Sequence, residues 1–455
     1  MDVDDASTAA NVPPELLNRI FGHCERRHRY IPADGSQLLP KSRLQPLLLV
    51  CRRWHTVAER RLYSSVSLGS NRVVKGRNGQ RMEINGKDVC RRLCETVQNN
   101  ARIASLVREL QMGSYSAEET EESEMHVRLI GICKNVEKIG IHGCHPDLLD
   151  DLAAALAKAD LISLDLSRER LGGYPGESGD ESMFSISTVI GLLQNLPRLQ
   201  HLYANLAKFE YSPCHESPLA RAPFVSGSCA ALKAISIHGQ IFTSTQLHQL
   251  AETSPHIEDL SIKIGENCNV SLKQCLEIWS SSLRRLVVFT PTYGYYGKPF
   301  PDDDCPVIHN PMIELQELWM PAPLVTPSAM ALLPKLEKLN FRGDYSHGTD
   351  FVQVLRKGAM PNVREIDASF SPPKPSNGSE RSERDDDFEF EIAKELRRVC
   401  KERKVFFRDY FTEVEELEEY YGYPEETPES SDNDWWDYDD AVEANAKGDE
   451  IDVLW

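Results

Sequence analysis

The sequence is poor in the features that mark most chemistries. No run approaches the roughly 18 consecutive apolar residues of a membrane span, so no helical membrane protein is expected. The first ten residues, MDVDDASTAA, have neither the basic n-region nor the apolar h-region of a secretory leader. The cytoplasm or nucleus is therefore the expected compartment. Twelve cysteines are scattered without a C-x-x-C pair, which argues for buried thiols in a reducing compartment rather than a disulfide framework. His142-Gly143-Cys144-His145 has the residue types of a metal site but lacks a second cluster. Also missing are G-x-x-x-x-G-K-[ST], G-x-G-x-x-G after a strand, G-x-S-x-G and H-E-x-x-H. The GESG at 176–179 lacks the spacing of a nucleophile elbow, and no cysteine has flanking sequence that suggests an activated thiol. No catalysis, cofactor or structural metal is expected. Positive charge is short overall: 51 Lys+Arg stand against 70 Asp+Glu, net −19, which argues against phosphate neutralisation on nucleic acid.

What is present is uneven. Hydrophobic residues make up 41% and charged residues 27% of 455, enough for a sizeable core and, at roughly 100–200 residues per domain, for more than one domain. Residues 1–110 carry 19 Lys+Arg and 11 Asp+Glu, net +8, whereas residues 409–455 carry one Lys and 18 acids, net −17. The basic front suits an acidic protein partner.

The front also holds an oily stripe. In NVPPELLNRIF (11–21), Leu16, Leu17, Ile20 and Phe21 fall at helical spacing behind two prolines that fit a helix start, with Glu15 at the positive end of the dipole. A polar stretch with Pro32, Asp34 and Gly35 follows. In LQPLLLVCRRWHTVAERRLYSSVSL (44–68), Leu47, Val50, Cys51, Trp54, Val57, Ala58 and Leu62 recur at three- and four-residue steps, an amphipathic helix, and Ser64 to Leu68 alternates like a short strand. Helices this small bury little surface of their own, so the leftover apolar face packs on the next domain or goes to a partner.

These two segments resemble the F-box: its Leu-Pro-x-Glu-Leu-Leu-x-x-Ile-Phe opening and its Val-Cys-(Lys/Arg)-x-Trp second helix. Val12 stands where leucine is commoner, and the stretch between the halves is longer than in a compact F-box. The resemblance implies binding to a Skp-family adaptor and, through it, a cullin ubiquitin ligase. It implies that Pro13, Leu16, Leu17, Ile20, Phe21, Val50 and Trp54 include the adaptor-facing positions. The alternative is that some of them, Trp54 above all, close the small helical core.

Behind the stripe lies a repeat. The template apolar-x-x-apolar-x-apolar recurs ten times: VRELQM (from 107), VEKIGI (136), LISLDL (161), LQHLYA (199), LKAISI (232), IEDLSI (257), LRRLVV (283), LQELWM (315), LEKLNF (336) and VREIDA (363). Helical stretches such as DLLDDLAAALAKA and STVIGLLQNL sit between templates. One repeat cannot bury its own face, so stacked neighbours are required. The array resembles leucine-rich repeats in a degenerate form: of the Asn or Cys usual after the strand, only Cys144 is in place.

Strand alternation assigns the outward positions: His201, Tyr203, Asn205, His238, Asp259, Lys263, Arg285, Val287, Phe289, Glu317, Trp319, Lys338, Asn340, Arg342, Glu365 and Asp367. Of these, Tyr203, His238, Lys263, Arg285, Phe289, Trp319, Lys338, Arg342 and Asp367 are the candidate target-binding set, since aromatics and arginine dominate binding hot spots. The competing reading is a solvated sheet face, partly covered by a loop or the tail. Gly/Pro-rich insertions interrupt the array at 168–182 and 291–311.

The expected fold class is α+β: a small N-terminal helical F-box, then an α/β leucine-rich-repeat-like solenoid with parallel strands, then a disordered acidic tail. The expected boundaries are a disordered 1–11, a helical domain at 12–68, a connecting helical region at 69–104, the solenoid at 105–370, a linker at 371–387, a cap at 388–411 and the tail at 412–455. The expected function is a receptor that brings a target protein to chemistry performed by other subunits, without nucleic acid or membrane. The runner-up is a non-catalytic repeat scaffold, or an adaptor-binding protein without ligase function.

Overall fold

The computed structural model describes residues 12–24, 44–68, 72–75, 81–112, 120–141, 143–167, 184–206, 224–265, 267–290, 306–322, 324–371 and 383–408. The expected N-terminal extension and acidic tail lie outside them, as does His142.

Two helices open the chain. Helix α1 (Pro14–Cys24) starts on a proline, where the missing N–H costs nothing, with Glu15 in its first turn and His23 in its last. A 3-10 turn (Pro46–Leu49) leads through Cys51 into α2 (Arg52–Ser64). Strand β1 (Ser65–Leu68) follows directly, then an antiparallel hairpin of β2 (Arg72–Lys75) and β3 (Arg81–Ile84). Helices α3 (Gly86–Asn99) and α4 (Ala101–Leu106) come next, their N-termini capped by the Asn85 and Asn100 side chains.

A regular alternation then sets in. Strands β4 (Glu109–Met112), β5 (Lys138–Ile141), β6 (Ser163–Ser167), β7 (His201–Asn205), β8 (Ala234–His238), β9 (Asp259–Lys263), β10 (Arg285–Phe289), β11 (Glu317–Pro321), β12 (Lys338–Asp344), β13 (Glu365–Ser371) and β14 (Phe406–Arg408) join β1 in one sheet. Each strand pairs in parallel with the next in sequence, giving the order β1-β4-β5 through to β14. The return segments include α5 (Thr120–Ile132), α6 (Leu149–Lys158), α7 (Ile186–Leu193), α8 (Ser244–Thr253), α9 (Asn269–Trp279), α10 (Tyr345–Arg356) and α11 (Glu383–Arg403). Neighbouring helices pack side by side as a second layer. The result is an α/β repeat arrangement with parallel strands.

The template is the core. All three of its apolar positions are buried in all ten repeats, from Val107, Leu110 and Met112 to Val363, Ile366 and Ala368. They form a single cluster with the inner sides of the helices. Each strand begins two residues after its template does, and the ladder begins earlier still. The Lys233 carbonyl accepts the Glu258 and Asp259 N–H groups at 2.7 and 2.9 Å, and the Glu258 carbonyl accepts those of Arg284 and Arg285 at 2.7 and 3.0 Å. This shared-acceptor step repeats from Arg108 to Glu337 and locks each repeat in register with the next.

The sheet overruns the interval 105–370 at both ends. β1 lies inside the segment assigned to the helical domain, and β14 inside the expected cap. The interval 69–104 holds a hairpin besides its helices, and α11 begins at Glu383, within the expected linker. No helix among the described residues is long and apolar enough to cross a membrane.

Candidate functional site

The stripe on α1 divides into two i,i+4 pairs. Leu17 and Phe21 point inward and are fully buried with Leu44 and Ala58. Leu16 and Ile20, one residue earlier in each case, point outward and remain 48% and 50% exposed. Leu17 and Phe21 therefore correct the sequence expectation: both serve the small core and offer no surface to a partner. Trp54 sides with them in part, its half-buried ring meeting Phe21 edge-on at 5.3 Å. Val50 is 54% exposed, Leu49 beside it 88%, and Pro13 is exposed. Helical spacing selects Leu47 from the run Leu47, Leu48 and Leu49 and leaves Leu49 out, but these residues form a 3-10 turn, whose geometry turns Leu49 outward.

The patch sits on a fixed base. Arg61 of α2 donates to the Asn18 carbonyl and side-chain oxygens of α1 at 2.8 and 2.9 Å. His55 Nδ1 lies 3.0 Å from the Leu48 carbonyl and holds the 3-10 turn against α2. Glu59, buried on α2, receives both Arg102 guanidinium nitrogens of α4 at 2.5 and 2.6 Å. Those hydrogen bonds hold the Glu59 carboxyl below the usual carboxylate range, against the opposing effect of burial. The helical front is thereby tied to the repeat array through a bidentate pair as well as through β1.

The second surface is the outward face of the sheet. An aromatic strip runs along it: Tyr203 to His238 at 5.9 Å, His238 to Phe289 at 6.0 Å, and Phe289 to Trp319 at 4.9 Å between ring centres. Tyr203 is exposed and the other three are half-buried. Arg285 bridges Asp259 at 3.2 Å and Glu317 at 3.1 Å on the two flanking strands. Burial raises the Asp259 carboxyl above its ordinary range despite the opposing pull of Arg285, and burial with Arg285 nearby lowers the His238 imidazole. Lys338 pairs with Glu365 at 3.3 Å, Asn340 donates to Asp367 at 2.7 Å, and Arg342 donates to Ser369 at 3.2 Å. Lys263 lies in register with Phe289. The strip thus brings together Tyr203, His238, Lys263, Phe289 and Trp319, with Arg285 beside it, while Lys338, Arg342 and Asp367 form a separate polar group on β12 and β13.

Val287 departs from the expected pattern. It occupies an outward position yet is 1% exposed, between Ser261, 3% exposed, and Trp319 in register. It forms the floor of the strip rather than part of its surface.

No acid–base or nucleophilic machinery accompanies either surface among the described residues. Burial pushes the thiols of Cys90, Cys144 and Cys275 up to about 12 and those of Cys133, Cys229 and Cys400 to about 11, which keeps them protonated and unreactive. No group of three or more His, Cys, Asp or Glu is placed to hold a metal among the described residues.

No curated protein matches the chain. Residues 9–69, which contain α1, the 3-10 turn, α2 and β1, match the family model of the F-box-like domain. The front of this chain is thus an F-box-like domain, a non-catalytic module for adaptor binding in complexes of the ubiquitin-ligase type.

Proposed function

We propose that the chain is the substrate-recognition subunit of a Skp-cullin-F-box ubiquitin ligase. The Skp-family adaptor covers Leu16, Ile20, Leu49 and Val50, with Pro13 at the edge, and links the chain to a cullin. The array is of the leucine-rich-repeat kind, and its outward sheet face holds a target protein through Tyr203, His238, Lys263, Arg285, Phe289 and Trp319, with Lys338, Arg342 and Asp367 extending the contact. The cytoplasm or nucleus is the compartment this role requires. The observation that carries the reading is the division of α1: one apolar pair builds the domain and the other stays in water, inside a segment that matches the F-box-like model. Covering the exposed parts of these four side chains is worth on the order of 1 kcal/mol each.

The test is co-purification of a Skp-family adaptor with the full chain, wild type against Leu16→Asp plus Ile20→Asp. Both side chains are half exposed, so the variant is expected to keep its circular dichroism and melting temperature while losing the adaptor. Equal recovery removes the ligase reading. Target binding is tested separately, by capture from extract with the proteasome inhibited, using Lys263→Glu and Trp319→Ala chains. Both are expected to lose proteins that the wild type retains.

A second reading has its own support. β1 pairs with β4, and Glu59 pairs with Arg102, so the front also closes the end of the array. On that reading the chain is a repeat scaffold with a helical cap and no ligase role. It predicts no adaptor with either chain.

A further inference from the structure

Most charged side chains around the aromatic strip already have ion-pair partners. Asp259 and Glu317 are both taken by Arg285. Lys263, half-buried on β9, pairs with no carboxylate among the described residues. Its strand position lies in the aromatic strip: Phe289 on β10 is its register partner, and the His238 ring of β8 lies 6.0 Å from the Phe289 ring. Tyr203 and Trp319 extend the strip on either side. A lone ammonium among rings fits a ligand that offers carboxylates and aromatic side chains together.

This chain contains such a segment. SDNDWWDYDD at 431–440 places five Asp, two Trp and one Tyr in ten residues. Its distance from the strip can be judged from the fold. Arg408 ends β14, and β14 lies five strand spacings from β9 in the sheet order. At about 4.8 Å each, that is a span of about 24 Å. Trp435 comes 27 residues after Arg408 in the sequence. At no more than about 3.6 Å per residue, 27 residues can span up to about 97 Å, so a segment at that position can reach the strip. The apolar patch on α1 is a poorer fit, since β1 alone is eleven spacings from β14, about 53 Å.

We propose that residues 432–440 dock in cis on the aromatic strip, with Lys263 taking tail carboxylates and Trp435, Trp436 and Tyr438 packing against Tyr203, Phe289 and Trp319. The proposal rests on the reading of this face as the target-binding surface. The tail occupies that surface, and a target that shares its acidic, aromatic chemistry displaces it.

Two measurements test it on the full chain. Zero-length carbodiimide coupling at high dilution is expected to join Lys263 to Asp432, Asp434, Asp437, Asp439 or Asp440 within single molecules. The triple variant Trp435→Ala, Trp436→Ala, Tyr438→Ala keeps every carboxylate and is expected to lose that link. The proposal is overturned if Lys263 stays unlinked, couples instead to Asp302–Asp304, links only between two copies, or keeps its link in the triple variant. The second measurement titrates a fluorescent peptide of residues 429–442. With a tethered concentration of about 1 mM against an intrinsic Kd of about 0.1 mM, the wild-type chain should bind it about tenfold more weakly than the triple variant does. Adding Lys263→Glu to the triple variant should remove the gain, and equal binding by wild type and triple variant overturns the proposal. If Lys263→Glu abolishes target capture while the tail shows no link, the tail proposal fails and the target reading stands.

Discussion

At the scale of the single residue, burial decides roles that residue type leaves open. Leu16 and Leu17 are the same residue in adjacent positions, yet one is half exposed and the other fully buried. Gly239 and Gly131 differ in the same way. Gly239 follows β8 at φ 89°, and a Cβ there would sit 1.6 Å from the Leu206 carbonyl oxygen. Gly131 lies on α5 with nothing within 4 Å of the same atom. Gly239→Ala is expected to cost at least about 1–3 kcal/mol in backbone strain alone. Gly131→Ala should be neutral or stabilise by up to about 1 kcal/mol. Denaturant midpoints of the two variants check this, and a similar loss for both would contradict it. The cysteines make a second residue-scale prediction. Cys90, Cys94, Cys133, Cys144, Cys229, Cys268, Cys275 and Cys400 are buried. They should resist alkylation at pH 8 in the folded chain, whereas half-buried Cys51 reacts; mass spectrometry of labelled peptides reads the difference.

At the scale of the element, the chain was legible where its pattern is forced. Each of the ten templates marks a strand, because three buried positions at fixed spacing have only one way to face a common core. β1 fits the same template as Tyr63-Ser64-Ser65-Val66-Ser67-Leu68 but is half hidden by the end of α2, so it reads as a strand without reading as the first of the array. β14 does not fit: Lys404, at φ 59°, stands where the first apolar residue would fall in register, and Val405 takes over the burial. Of the α1 stripe, only its existence could be read, since which apolar pair turns inward depends on Leu44 and Ala58 far along the chain. The Glu59–Arg102 pair was equally hidden, joining two helices 43 positions apart. It carries a prediction about pH. The Glu59 carboxyl is held below the ordinary glutamate value of 4.5 by its hydrogen bonds to Arg102, so its stabilising effect is complete above that pH and is lost as pH falls through the lowered value. Glu59→Ala should cost about 1.5–3 kcal/mol at pH 7, the range for hydrogen bonds to charged groups. The gap between wild type and variant should narrow progressively below pH 4.5, as measured by thermal melts across pH. A gap that widens on acidification would show that Glu59 is not the proton-linked group.

At the scale of the whole molecule, the F-box-like domain has two faces with separate duties. One is the exposed apolar patch of α1 and the 3-10 turn; the other is β1, which covers the edge of β4 and adds Leu68 to the main core. In a stacked array each repeat depends on its neighbours, and an uncovered first repeat exposes both apolar surface and unpaired backbone groups. Removing residues 1–68 takes away both faces, whereas substituting the patch takes away only one. A chain of residues 69–455 lacks β1 and loses the burial of Leu68 and of Val66, which packs against the same core. At about 1.5–3 kcal/mol for a fully buried apolar side chain, and with the Glu59–Arg102 pair gone as well, it should melt lower than the full chain and self-associate through the bared β4 edge. The Leu16→Asp plus Ile20→Asp chain keeps β1, and should stay monomeric with an unchanged melting temperature. Light scattering and thermal melts on the three chains give the answer. If the 69–455 chain is monomeric and melts with the full chain, β1 is a dispensable extension, and the helical front is held to the array by the Glu59–Arg102 pair and helix packing alone.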